Sequence, residues 1–231
     1  MNSFHFDSNE IHDKSELATL FQFYGSDKGS PRKGTIHPSG WPYHHYAAIY
    51  SLFLDSRRSS VTRFLEVGIG TTSPNFSASM GKNGTPGASL RAWSSYFPNS
   101  EIFGVDIDTE CLFEEERIQT SYIDQTNPGS INEFFRTTGE KPFDVIVDDG
   151  MHTEHAARIF FEQSFQYLRP GGLYFIEDAG WLEPGQETFL DFILDPVSLF
   201  QPREMKSGLD YWDKLIVINK RGDFSGSHIQ L

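Results

Sequence analysis

The chain has 231 residues, a single cysteine, 38% hydrophobic content and a formal net charge of −13. Such acidity, with no local run of Lys or Arg, argues against a nucleic-acid partner, because binding phosphates needs clustered basic side chains. The length suits one α/β domain, and the apolar runs are strand-sized, well short of the ~18 residues that a membrane-spanning helix requires.

Residues 1 to about 40 read as a polar leader with one apolar stretch, 17–24, where Asp13 or Ser15 can cap a short helix. Loop chemistry over 25–31 ends it. Apolar groups recur at helical spacing over 43–54, so residues 1–55 are expected to form a helical leader packing on a domain of residues 56–231. The N-terminus lacks the basic region and apolar core of a signal peptide. A lone Cys111 excludes an internal disulfide framework. Both features predict a cytoplasmic protein.

From residue 62 the pattern alternates. Strands are expected at 62–67, 101–106, 117–122, 143–148 and 173–177, with helices at 88–96, 129–137 and 153–168. Arg169-Pro-Gly-Gly172 is the stop for the last of these helices. A helix near 186–194 and strands near 198–204 and 214–219 complete the chain. Strands alternating with helices predict a doubly wound, Rossmann-like α/β sheet, mostly parallel, with an antiparallel C-terminal edge strand.

Four apolar runs carry acids at or near their ends: Phe64-Leu-Glu-Val-Gly-Ile-Gly70, Ile102-Phe-Gly-Val-Asp106, Phe143-Asp-Val-Ile-Val-Asp-Asp149 and Leu173-Tyr-Phe-Ile-Glu-Asp178. Open α/β sheets bind ligands beyond the carboxyl ends of their strands. The acidic tips and one glycine turn are therefore expected to face one crevice, an arrangement that suits a nucleotide or S-adenosylmethionine (SAM). Gly68 and Gly70 let the backbone turn sharply beside a ligand, although two glycines alone also make an ordinary turn. Asp106 stands where an acid can meet ribose hydroxyls, and Asp124 where one can meet an adenine amino group. Helix capping for the first and a turn for the second are the plain alternatives.

Asp148-Asp-Gly-Met-His152 and Glu177-Asp178 fall at two further strand ends, where up to four carboxylates come close. Carboxylates so placed repel unless a positive charge lies among them. A hard divalent cation with oxygen ligands answers that need. His152, three residues past Asp149, is then a candidate general base. The alternative is that the acids cap helices and His152 is a polar loop residue.

These segments resemble the class I SAM-dependent methyltransferases, and more narrowly the metal-dependent macrocin- and mycinamicin-type sugar O-methyltransferases. The resembling stretches include Tyr24-Gly-Ser-Asp-Lys28, His45-Tyr-Ala-Ala-Ile-Tyr50, the Glu66–Gly70 turn, Gly104-Val-Asp-Ile-Asp108, Asp124-Gln125, Asp148–His152, Arg169–Gly172 and Ile176-Glu-Asp178, in order over most of residues 21–180. The resemblance implies that Asp149, Glu177 and Asp178 hold Mg²⁺, with His152 taking the proton of an acceptor hydroxyl. It implies that Glu66, Gly68, Gly70, Asp106 and Asp124 hold SAM, with the loop of Tyr24, Ser26 and Lys28 closing over it.

The acceptor it implies is a small hydroxylated molecule, a sugar or glycosylated metabolite. Met151 stands where the family usually shows a small residue, and the chain lacks the large auxiliary segment of some relatives, which leaves assembly into homo-oligomers open. Residues 70–87 and the aromatic stretch of Trp181, Phe189, Phe192, Phe200, Tyr211 and Trp212 are the expected acceptor-docking regions, with core packing as the alternative. Rival readings are a hydroxylase-labelled relative of the same fold and a SAM-binding scaffold whose catalysis has lapsed.

Overall fold

The computed structural model describes residues 1–6, 14–29, 36–38, 40, 42–139, 141–183, 185–202 and 213–221. The strands are β1 (Asn2–Phe6), β2 (Arg63–Val67), β3 (Glu101–Asp106), β4 (Glu114–Glu115), β5 (Ile118–Tyr122), β6 (Phe143–Asp148), β7 (Leu168–Ile176), β8 (Val197–Pro202) and β9 (Leu215–Asn219). The helices are α1 (Glu16–Tyr24), α2 (Tyr46–Leu54), α3 (Ala88–Tyr96), α4 (Pro128–Thr137) and α5 (Glu154–Ser164). All nine strands form one sheet in the order β1-β8-β9-β7-β6-β2-β3-β5-β4.

The central strands β5, β3, β2, β6 and β7 pair in parallel. Strands β2 and β6, and β3 beyond Glu101, are buried along their length, as parallel strands covered by helices must be, whereas β5 near the edge is largely exposed. Alternation along β2 shows how the faces are divided. Phe64 joins the layer of α1, α2 and α3 through Phe21, Tyr50 and Trp93, whereas Leu65 and Val67 join the opposite layer with Phe134, Phe160 and Phe161 of α4 and α5. The order of the strands reverses between β2 and β6, with β3 and β5 added on one side of β2 and β6 and β7 on the other, and the crevice at such a switch point is where open α/β sheets take ligands.

Four expectations changed. The antiparallel strand β9 is not the edge: it lies between β7 and β8, and β1 pairs in parallel beyond β8. The edge strand β1 falls in the stretch read as a leader without strands; with five residues it is too short to carry a clear period. Helix α5 stops at Ser164, and Arg169-Pro-Gly-Gly172 lies inside β7 rather than before it. A register shift between Phe143 and Val145 in the β6–β7 pairing takes up the irregular proline-glycine stretch. Over 186–194 only a 3-10 turn forms, Phe189–Phe192, capped reciprocally by Thr188 and Asp191. No helix among the described residues is long and apolar enough to cross a membrane.

Candidate active site

The carboxyl ends of β2, β3, β5, β6 and β7 carry two adjoining groups of polar residues. The first surrounds the glycine turn after β2. Gly68 has φ +83°, and a Cβ there would lie 2.0 Å from the Asp149 carbonyl oxygen. Only glycine allows the β2 and β6 tips to approach this closely. The Asp149 amide in turn donates to the Val67 carbonyl at 2.9 Å.

Asp106, at the tip of β3, accepts from the Ile69 amide and from the Asp108 amide, both at 2.9 Å, and so fixes the turn. Asp108 accepts from the Thr71 hydroxyl and the Glu110 amide, the capping role that its position suggests. Asp124 closes a local turn by accepting from the Thr126 amide at 2.9 Å and the Thr126 hydroxyl at 2.7 Å. Gln125 ties the β5 tip to the loop after β6. Its Nε2 donates to Asp148 Oδ1 at 2.7 Å, and its Oε1 accepts from the Met151 amide at 2.9 Å. In the 70–87 excursion the Met80 side chain packs over Gly70, and the Met80 amide donates to the Thr71 carbonyl at 2.9 Å.

The second group lies beyond β6 and β7. Asp149, His152 and Asp178 each offer a ligand atom, all within 4.8 Å of one another, and a second trio of Glu66, Asp149 and Glu177 shares Asp149 with the first. His152 (φ 55°) and Asp178 (φ 49°) both adopt the left-handed backbone region. Non-glycine residues in that region concentrate at functional sites. His152 Nε2 lies 3.6 Å from Asp178 Oδ2, while its Nδ1 is buried with no hydrogen-bond partner among the described residues.

Helix α2 clamps the β7 tip. Tyr46 and Tyr50 are one turn apart and so share a helix face. The Tyr46 hydroxyl donates to Asp178 Oδ1 at 2.5 Å and accepts from the Asp178 amide at 3.1 Å. The Tyr50 hydroxyl donates to Glu177 Oε1 at 2.5 Å. Ahead of the helix, His45 Nδ1 meets Asp213 at 2.7 Å, and His44 Nδ1 stands 3.5 Å from Asp213 and 3.6 Å from Asp178.

Lys28 is the largest surprise. Its ammonium lies 2.6 Å from Asp149 Oδ2, 2.7 Å from Glu177 Oε2 and 3.4 Å from Glu66 Oε1, with the residue only 3% exposed. It meets the acids rather than the glycine turn. The turn that carries it is docked on α2 by hydrogen bonds from the His44 amide to the Asp27 carbonyl (2.8 Å) and from the Ala47 amide to the Lys28 carbonyl (3.0 Å). Ser26 packs within the same turn, and the Tyr24 hydroxyl meets Ser95 of α3 at 2.8 Å.

Burial would lower the Lys28 pKa, but Asp149, Glu177 and Glu66 outweigh it and hold it well above the ordinary lysine range. Burial pushes Glu66 up to about 7, against the pull of Lys28. Burial and then the Asp149 charge raise Glu177 well above the usual carboxylate range, and burial raises Asp149 against Lys28 and His152. Burial likewise lifts Asp148 to about 6, and its Oδ2 has no hydrogen-bond partner among the described residues.

All twelve predicted site residues thus lie near these strand ends or in the α1–α2 region that docks on them, but they are partitioned. Glu177 does not join Asp149, His152 and Asp178 in one ligand group, because Lys28 and Tyr50 engage its oxygens. Tyr46, Tyr50, His44 and Asp213 were given no site role from the sequence, and Gln125 was named only beside Asp124. The paired tyrosines at helical spacing were the available signal. Of the expected docking aromatics, Phe189 is buried and Trp181 stacks on it, while Phe200 stacks on Phe4, so these three serve packing. Phe192 is exposed, and Tyr211 and Trp212 lie outside the described residues.

The donor set fits a hard divalent cation: two half-buried carboxylates with one imidazole beside them. A crevice at the switch point, with a glycine turn held by Asp106, fits a nucleoside cofactor.

Fold and site together define the Rossmann-like architecture of the class I SAM-dependent methyltransferases. A methyltransferase from the mycinamycin biosynthetic pathway, MycE, solved in complex with Mg, SAH and mycinamycin VI, superposes with a TM-score of 0.63 at 24% identity, over 93% of this chain and 57% of its own. In sequence the chain resembles sugar O-methyltransferases. It is 36% identical over 188 residues to demethylmacrocin O-methyltransferase of Streptomyces fradiae, a match spanning 76% of this chain and 43% of the relative. It is 37% identical over 166 residues to mycinamicin VI 2''-O-methyltransferase of Micromonospora griseorubida, spanning 71% of this chain and 36% of the relative. The chain therefore aligns with less than half the length of these curated relatives. No family model matches it.

Proposed function

We propose that this protein transfers a methyl group from SAM to a hydroxyl of a sugar or glycosylated small molecule, with Mg²⁺ required. The convergence of Asp149, His152 and Asp178 beside the glycine turn carries the proposal. The names of the relatives, which are O-methyltransferases of glycosylated natural products, support the acceptor class.

Asp149 and Asp178 would hold the cation directly, with Glu177 behind them. Once bound, Mg²⁺ supplies a Lewis acid that lowers the pKa of an acceptor hydroxyl, and SAM supplies an activated methyl group on a good leaving group. The remaining work belongs to the chain. Tyr46 fixes Asp178 through both its carboxylate and its amide, so the acid presents Oδ2 towards His152. His152 takes the proton of the acceptor hydroxyl as that oxygen attacks the methyl carbon. Gln125 holds the Asp148–Met151 loop that carries His152. Gly68, Gly70, Asp106 and Asp124 would hold the cofactor, and positioning accounts for much of the rate.

A hydroxylase is not favoured: each ligand group among the described residues has at most one histidine, short of the two-His, one-carboxylate set of non-haem iron. The test is transfer of labelled methyl from SAM to a panel of glycosylated and aglycone hydroxyl acceptors, with Mg²⁺ or EDTA. Transfer only to glycosylated acceptors and only with Mg²⁺ is expected. Transfer that persists in EDTA would remove the metal from the account.

A further inference from the structure

The two ligand trios share Asp149, the arrangement from which paired-cation sites are built, with a bridging carboxylate and cations ≈ 3.5–4 Å apart. One of the two positions already holds a cation. The Lys28 ammonium sits among three carboxylates, donating to Asp149 Oδ2 and Glu177 Oε2 and lying 3.4 Å from Glu66 Oε1. Glu66 is completely buried, with the Ser89 hydroxyl and the Lys28 ammonium as its polar neighbours. A buried carboxylate is tolerated only beside a compensating positive charge. Lys28, at 3.4 Å, is that charge.

We propose that Lys28 fills, as a tethered ammonium, the second position of a two-cation site. A divalent ion takes the Asp149–Asp178 side next to His152, and the lysine permanently takes the Glu66–Asp149–Glu177 side. The inference rests on the metal reading above and adds to it the occupancy of the inner position. An ammonium has no vacant coordination position, so it neutralises the inner acids without drawing in water or substrate oxygens. A Mg²⁺ or Mn²⁺ ion there would need oxygens near 2.0–2.1 Å. The present 2.6 and 2.7 Å contacts would have to close by about half an ångström. The α2 docking of residues 27 and 28 holds the lysine in this position.

The experiment is Mn²⁺ binding, read as stoichiometry by calorimetry and as the electron paramagnetic resonance spectrum of the loaded protein. Wild type is expected to bind one ion per chain with an isolated-ion spectrum. Lys28→Ala is expected to bind two with an exchange-coupled spectrum, and adding Glu66→Gln to Lys28→Ala should return it to one. If Lys28→Ala does not accumulate folded in metal-free buffer, it is produced and purified with Mn²⁺ present, which fills the vacated position, and is read the same way. One ion in the lysine variant, or two in wild type, overturns the inference and leaves the metal reading standing. No ion in any of these proteins overturns the metal reading itself.

Discussion

The two halves of the crevice are built by different means. Around the glycine turn, carboxylates serve mainly as backbone acceptors, and most of the contacts are local: Asp108 with Glu110, and Asp124 with Thr126. In the acidic half, the groups come from distant parts of the chain, with Lys28 meeting Glu177 across 149 residues and Tyr46 meeting Asp178 across 132. The first half is a shaped backbone. The second is a set of charges balanced against one another, buried at Lys28, Glu66 and Glu177 and half-buried at Asp149, His152 and Asp178, so its properties should respond to charge and pH, whereas those of the first respond to shape.

The sharpest way to break this division is at His152. His152→Ala should lower turnover by about 10²–10⁴-fold, the usual worth of a general base, and leave SAM affinity unchanged by calorimetry. Collapse of SAM binding would mean that the halves are one unit. Next comes shape: Gly68→Ala drives a Cβ into the Asp149 carbonyl from a positive-φ position. A loss of ~4 kcal/mol or more in urea unfolding is expected, among the larger effects of single substitutions.

Charge is tested at Glu66. Its pKa is raised from 4.5 to about 7, so the folded protein holds this proton more tightly than the unfolded chain does. The stability this contributes is fully present below pH 4.5 and is lost as pH rises through 7. Unfolding in EDTA from pH 4.5 to 8.5 should show Glu66→Gln gaining on wild type by about 3 kcal/mol. A constant gap would show that Glu66 is ionised throughout. The smallest effect is expected at Asp124. Removing its carboxylate should cost about 1 kcal/mol of stability, as for a lost cap, and weaken SAM by a few-fold.

The same contrast explains what the sequence made legible. Strands β2, β3 and β6 and helix α3 were readable because each is a compact apolar or amphipathic pattern bounded by turn residues. Gly68, Asp106 and Asp149 followed from strand-tip position alone. Lys28 was read as part of a loop over the cofactor, because nothing local distinguishes a surface lysine in Gly-Ser-Asp-Lys-Gly from one buried among three acids. Tyr46 and Tyr50 were read only as part of a helical stretch, since their hydroxyl partners, Asp178 and Glu177, lie far along the chain just beyond β7. The 186–194 segment has helical apolar spacing, yet only Phe189–Phe192 winds up, as a 3-10 turn held by the reciprocal Thr188–Asp191 cap.

Calorimetric titration of SAM into the protein, with Mg²⁺ and with EDTA, tests the central claim most directly when paired with a Mg²⁺ titration of wild type and Asp149→Ala. The account predicts SAM binding that survives EDTA, together with a separate Mg²⁺ site that the substitution abolishes. Absence of SAM binding under both conditions would contradict it.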